Sequence, residues 1–307
     1  MMSAQKVITE IIMAALALIP AVMFAVQAIS FKMYGYMCDK SKSSFALFTT
    51  LYLCFSAVLA LPFVFIIDKG VISAESMMFG GLMGVAFFGF ILMYDKAIKS
   101  GPLSITTLVF SVASAIPIIV SAIVFDEAIT ALQIVGFVII AISLYFISFA
   151  NSHRKTTEKR QFSRKWLLYT CVGFAFNVCT MLLNKFFGKT VEGGSVYQYI
   201  FTTFMVSAIL SLTLYIPKET RSNVKNIGVD KWFIILAIAV AVANAVGNGA
   251  VAVLGGILNG SVLFPVTGAV SVLISSLVSI FLFDEKLNAK SIIGLSLGIV
   301  AIVLISI

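Results

Sequence analysis

Charge is scarce in this chain. Asp, Glu, Lys and Arg together make up 11% of its 307 residues, against about 25% in an ordinary soluble domain, so a water-exposed surface cannot be built from this inventory. Histidine occurs once, at His153, which leaves no imidazole pair for a metal or an acid–base relay. The four cysteines (Cys38, Cys54, Cys171, Cys179) form no C-x-x-C pair and no zinc-type spacing, and they read as packing residues. Also missing are a phosphate-cradling glycine loop, clustered carboxylates within an apolar run, and a nucleophile with a visible base. No cofactor or metal is expected, and a membrane-embedded enzyme, which would need such groups at bilayer depth, is the disfavoured class.

What the chain has is apolar length. It is 61% hydrophobic with a mean hydropathy of +1.10, and runs of roughly twenty apolar residues, enough to span a bilayer as a helix, recur from end to end. Ten are expected, near 8–31, 45–67, 76–94, 103–125, 131–150, 166–184, 197–216, 232–256, 261–283 and 289–307. Helices are required because hydrocarbon offers backbone groups no other partner. The first run is too long for a signal-peptide core and lacks a small-residue cleavage site. The expected fold is an all-α integral membrane protein.

The acidic words repeat. "FDEAITALQIVG" at 125–136 returns as "FDEKLNAKSIIG" at 283–294, and a slide of 158 aligns 125–149 with 283–307 at eight identities. A slide of 153 pairs "KMYG" at 32–35 with "KFFG" at 185–188, and "FTT" at 48–50 with "FTT" at 201–203. The expected organisation is therefore a first five-helix repeat over 1–150, a basic connecting loop over 151–165 and a second repeat over 166–307. Five is odd, so the second copy enters the membrane inverted, an arrangement used by transporters.

Inversion places matched loops on opposite sides, so one of each pair should be basic. Lys40 and Lys42 fall opposite Gly193 and Ser195; Lys286 and Lys290 fall opposite Ala128 and Leu132. In all, 17 of the 21 basic residues lie with the loops after spans 1, 3, 5, 7 and 9. The positive-inside bias makes that side cytoplasmic and puts both termini outside. The net charge of +8 is densest in "HRKTTEKRQFSRK" at 153–165, a juxtamembrane topology signal rather than a nucleic-acid patch.

Ten helices in two inverted copies, each with a short acidic hairpin and then a glycine-bearing helix, resemble the drug/metabolite transporter superfamily, EamA type. The resemblance covers essentially the whole chain and implies a multi-pass permease of the cell (inner) membrane, with a cavity between the copies and no bound cofactor. It implies a small-molecule substrate and the lipid bilayer as partners, with no nucleic acid; the oligomeric state is open. It also implies cytoplasmic termini, against the lysines of this chain.

Asp126 and Glu127 precede Thr130 and Gln133, which fit a capping box starting a helix at about residue 131; Asn288 is the matching cap. The two acids read as interfacial hairpin residues. Lys32, Asp95, Lys96 and Lys185 fall at span ends, the lysines snorkelling outward, so no buried carboxylate is expected. Deep polar groups are uncharged. Asn177, Thr180 and Asn184 share one helix face, and Asn244 and Asn248 share another. The matching positions carry Phe24, Gln27 and Phe31, with "FFGF" at 87–90 and then Tyr94. An amide wall thus faces an aromatic one, and Gln27, Phe87, Tyr94, Asn177, Thr180, Asn244 and Asn248 are the candidate substrate-binding residues. The competing reading is interhelical glue at about 0.6 kcal/mol a bond. The expected function is transport of a small neutral or zwitterionic metabolite, aromatic ones and amino acids included, facilitative or weakly proton-coupled. Export of drugs or organic cations is the alternative. Deep polar residues are too sparse for a channel lining, and no signalling domain suggests a receptor. Thr50 and Thr203 are expected to bond back to their own helices. Glycines such as Gly80, Gly81, Gly84, Gly247, Gly249, Gly255 and Gly256 are expected at close helix contacts, and Pro20, Pro117 and Pro265 at bends.

Overall fold

A computed structural model of the chain describes residues 15–37, 42–69, 71–100, 106, 109–110, 112–150, 164–215, 229–283 and 289–306. His153, Cys38, Asn288 and most of the 151–165 loop lie outside them. Among the described residues there are ten α-helices and no strand. They are α1 (Leu18–Met37), α2 (Lys42–Ile66), α3 (Ala74–Ser100), α4 (Ala115–Val124), α5 (Ala131–Ala150), α6 (Arg164–Thr190), α7 (Val196–Leu210), α8 (Lys231–Ile257), α9 (Gly260–Phe283) and α10 (Ala289–Ser306). A π-helical turn, Ser211–Tyr215, continues α7.

Seven of these helices (α1, α2, α3, α6, α7, α8 and α9) are long and apolar enough to cross a membrane. The outer faces of the ten helices carry Val58, Phe65, Ile123, Val138, Leu168, Phe281 and Ile299, all exposed, while Thr49, Ser56, Thr203, Ser207 and Asn244 are buried. A polar inside and an apolar outside suit a lipid solvent and fit a multi-pass membrane protein.

One expected boundary shifts: the first helix is centred later than 8–31. Within the expected 103–125 span, Thr106, Val109, Phe110 and Val112 are helical, and α4 follows a turn at Ala113 and Ser114. Its entry is a turn, with Ala113 N–H donating to Phe110 O and Ile116 N–H to Ala113 O, both 3.3 Å. Pro117 falls in the first turn of α4, where it has no intrahelical bond to break; Pro20 is placed likewise in α1. Pro265, by contrast, is interior to α9, as Pro62 is to α2.

The most extensive packing joins the first five helices to the last five: α3 to α6 and α7, α1 to α8 and α9, α2 to α7 and α8, and α5 to α10. In lipid no hydrophobic drive pulls helices together, so close backbone approach must supply the attraction. Glycine permits it. A Cβ at Gly256 would stand 2.2 Å from the Gly188 carbonyl oxygen, and one at Gly84 would stand 2.6 Å from Thr203 O. Gly80, Gly89, Gly247 and Gly255 are also in close contact, whereas Gly81 faces open space and Gly249 makes only ordinary contacts. Those last two are not packing glycines. Hydroxyls add interhelical bonds: Ser207 Oγ to Gly84 O (2.9 Å), Ser143 Oγ to Gly294 O (2.6 Å) and Thr50 Oγ1 with Ser211 Oγ (2.6 Å). Thr50 and Thr203 bond back to Ala46 O and Tyr199 O as their sequence position suggested. The cysteines differ from expectation: Cys54 is half-buried, but Cys171 and Cys179 are exposed on the outer face of α6 and are not packing residues.

The capping box forms. Thr130 N–H donates to Gln133 Oε1 (3.1 Å) and Gln133 N–H to Thr130 Oγ1 (3.2 Å), starting α5 at Ala131.

Candidate functional site

A cavity of about 460 Å³ lies among α1, α3, α5, α6, α8 and α9, with the entry to α4 closing one side. All seven candidate residues line it: Gln27, Phe87, Tyr94, Asn177, Thr180, Asn244 and Asn248. Side-chain direction on each helix brings them together. Asn177, Thr180 and Asn184 are one stripe of α6, and Asn244, Asn248 and Val251 are one stripe of α8. No Asp, Glu, Lys, Arg or His is among its lining residues.

One wall is aromatic. The rings of Phe90, Tyr94 and Phe110 pack mutually with centroids 5.6, 5.6 and 5.0 Å apart, the last pair edge-on. Phe87 stands edge-on to Phe204 at 5.6 Å, which fixes its orientation. The facing wall is amide. Asn177 Nδ2 donates to Phe110 O (3.2 Å), Asn244 Nδ2 to Val240 O (3.1 Å) and Asn248 Nδ2 to Asn244 O (3.0 Å). Asn184 Oδ1 accepts from the Tyr199 hydroxyl (3.0 Å), and Tyr199 is itself stacked on Phe187 at 4.2 Å. Buried amides held this way are oriented before any ligand arrives.

Sequence reasoning missed part of the lining. Thr267 and Ser271 on α9 sit one turn apart on the same face, and that spacing after Pro265 was a readable signal. Phe110, which is helical, and Ser114, at the turn into α4, were not singled out in the sequence.

Next in sequence to Asn184 of the lining stands a charged cluster, which corrects the expectation for Lys185 and Glu127. Lys185 does not snorkel to an interface. It lies inside α6, its side chain 0% exposed, with Nζ donating to Glu127 Oε1 (2.5 Å) and to Leu258 O (2.7 Å). Glu127 is not a water-facing hairpin acid: it is 8% exposed, and its second oxygen accepts the Gly260 N–H at the start of α9 (2.6 Å). Lys189 Nζ lies 3.5 Å from the same carboxylate. The chain reaches this arrangement because Asp126 adopts a positive φ of 52°, turning the 125–130 connector inward. Three elements meet on one carboxylate, a single turn beyond Asn184 and Phe264 of the lining. Lys32 and Asp95 are likewise inside helices α1 and α3, and Asp95 is paired with Lys99 at 2.6 Å.

A second polar cluster ties the α2–α3 connector to the start of α7. Asp68 accepts from Ser195 Oγ and from Gln198 Nε2 (3.0 Å), Gln198 Nε2 also donates to Val71 O (2.6 Å), and Ser73 N–H donates to Gln198 Oε1 (2.7 Å). Among the described residues no group of three or more His, Cys, Asp or Glu is placed to hold a metal.

No family model and no curated protein matches the chain. Solved structures do: 29 chains match. One of them, described simply as "Crystal structure of protein", aligns over 95% of this chain and 95% of its own, with a TM-score of 0.74 and 12% sequence identity. At that identity the likeness is one of fold: this chain is similar, along nearly its whole length, to a protein of known structure.

Proposed function

We propose that this protein is a transporter of the drug/metabolite type that moves a small neutral or zwitterionic organic molecule across the cell (inner) membrane. Transport is by alternating access through the cavity between its two five-helix halves, facilitative or weakly proton-coupled. The observation that carries the reading is the cavity itself: 460 Å³, lined by both halves, aromatic on one wall, amide on the other, and free of formal charge. Sites of this size and mixed lining suit drug-sized ligands.

The packing supports two copies related by a two-fold axis. Replacing each helix by the one five places on turns the α3–α6 contact into α8–α1, α3–α7 into α8–α2 and α1–α9 into α6–α4, while α2–α7 and α5–α10 map onto themselves; all of these contacts are made. The polar clusters support alternating crossings. Asp68 joins the connector after α2 to that after α6, and Glu127 joins the connector after α4 to the end of α6 and the connector after α8. Connectors after even-numbered helices thus gather at one end. On this reading alternation assigns the basic connectors, those after odd-numbered helices, to the other end, and the positive-inside bias would make it cytoplasmic.

The reading is tested by reconstituting the purified protein in liposomes and measuring uptake from a metabolite panel, beside a thermal-shift screen in detergent. Saturable uptake of a compound that also raises the melting temperature, both lost in Asn248→Ala, is the expected result. Uptake indifferent to Asn248→Ala, or leakage of ions without saturation, would overturn it.

A further inference from the structure

The amides of the cavity are not neutral in what they offer. A carbonyl oxygen cannot donate, so a bond from an asparagine side chain to a backbone carbonyl fixes which end of the amide faces it. Asn177, Asn244 and Asn248 each commit one Nδ2 hydrogen to such a carbonyl, which leaves their Oδ1 atoms turned the other way. Among the described residues none of these three oxygens accepts a hydrogen bond, and Asn244 Oδ1 is fully enclosed without a partner. Thr180 and Ser271 likewise commit their hydroxyl hydrogens, to Asn177 O (2.7 Å) and Gly268 O (2.8 Å), and keep only lone pairs. Thr267 Oγ1, on the α9 side, is buried and unpartnered. Asn184 alone is turned the opposite way, its oxygen held by Tyr199. All seven line one cavity.

From this arrangement, and resting on the reading of the cavity as the substrate site, we infer that it selects uncharged aromatic molecules through their N–H or O–H donors and rejects carboxylates, zwitterions included. A carboxylate brought into the cavity would meet no cation among the lining residues, only ring faces, lone pairs and uncharged donors such as the Asn184 amide and the Tyr94 hydroxyl. Lys185, next in sequence to Asn184, and the Gly260 N–H at the start of α9 are both held by Glu127. A free cation suits rings and carbonyl oxygens but would enter uncompensated. Glu127 is already matched by Lys185 and approached by Lys189, and Asp95, next in sequence to Tyr94, is paired with Lys99. A burial cost without a counter-ion is steep. A neutral ring with amide, heteroaromatic N–H or phenolic donors has neither penalty and satisfies the empty acceptors.

The test holds the ring constant and changes only the charge. Four indole probes are titrated against the purified full chain by thermal shift: indole-3-acetamide (neutral), indole-3-acetate (anion), tryptamine (cation) and tryptophan (zwitterion). The expected result is saturable stabilisation by the acetamide alone, with affinity about tenfold weaker in Thr267→Val. Because that hydroxyl has no internal partner, the substitution leaves folding intact; Thr202→Val, which removes another buried unpartnered hydroxyl but one away from the cavity lining, serves as control and leaves affinity unchanged. Equal or tighter binding of the acetate or tryptophan overturns the acceptor-wall inference, and so does preferential binding of tryptamine or silence from all four probes. If a carboxylate metabolite binds and is lost in Asn248→Ala, the cavity reading survives while this inference falls. If binding of any probe ignores both Asn248→Ala and Thr267→Val, the cavity reading falls with it.

Discussion

At the scale of single residues, the buried pair of Lys185 and Glu127 has the largest energetic consequence. Removing one member of such a pair typically costs roughly 3–5 kcal/mol, because the survivor is left uncompensated, whereas replacing both can be close to neutral. The two single variants are not equivalent here. Glu127→Gln strands the Lys185 ammonium with only Leu258 O, while Lys185→Met leaves Glu127 with Lys189 at 3.5 Å and the Gly260 N–H. Glu127→Gln is therefore expected to lower the melting temperature more than Lys185→Met. The double variant should recover most of the loss, since a glutamine oxygen still accepts from Gly260. A thermal-unfolding double-mutant cycle in detergent measures all three; additive losses would show the pair to be uncoupled. Both residues stood out in the sequence, duplicated as Lys32/Lys185 and Glu127/Glu285, but what was legible was their repetition and not their contact. Hydropathy placed both at span ends. The connector carries a positive φ at Asp126, a residue type that tolerates that region better than most, but the sequence does not say which of the chain's aspartates adopts it. The candidate lining was more legible, because Asn177, Thr180 and Asn184 advertise a helix face by spacing alone.

At the scale of elements, the contact between α6 and α8 turns on two glycines. A methyl group at Gly256 or Gly188 would overlap the opposing backbone at 2.2 Å, and backbone cannot step aside as a side chain can. Gly256→Ala is expected to destabilise by about 1–3 kcal/mol through forced separation of the helices. Gly81→Ala, which meets open space, should be neutral or stabilising, since alanine favours helix by up to about 1 kcal/mol. Comparison of the two by thermal unfolding separates packing from propensity; equal effects would remove the close-contact argument. Small-residue patterns identified most of these glycines in the sequence, yet Gly81 and Gly249 fit the same pattern and do no such packing. A helix face is set by partners the sequence does not name. The α5 start was predicted to the residue for the opposite reason: Thr130 and Gln133 satisfy each other within one turn, with no distant partner needed. Thr130→Ala should cost about 1 kcal/mol, read in the same assay.

At the scale of the molecule, the strongest sequence signal was the asymmetry of basic residues between alternate connectors, and it predicts an orientation that can be measured. Glu192 follows α6 and Val229 precedes α8, both exposed, with α7 between them. In a background lacking the four native cysteines, Glu192→Cys should react with a membrane-impermeant thiol reagent in intact cells. Val229→Cys should react only after permeabilisation, because it lies with the basic connectors. The reverse pattern would place both termini in the cytoplasm, as the family resemblance implies, and the charge bias of this chain would then be overridden by some other determinant of insertion. Labelling of both sites from the same side would be more damaging, since α7 would no longer cross the membrane. The two-fold correspondence of contacts, the alternation of connectors and the cavity between the halves would lose their common cause. The orientation also sets the sense of the charged cluster: with the basic end inside, the connector that carries Glu127, and the Lys185 it holds, would lie toward the outer side.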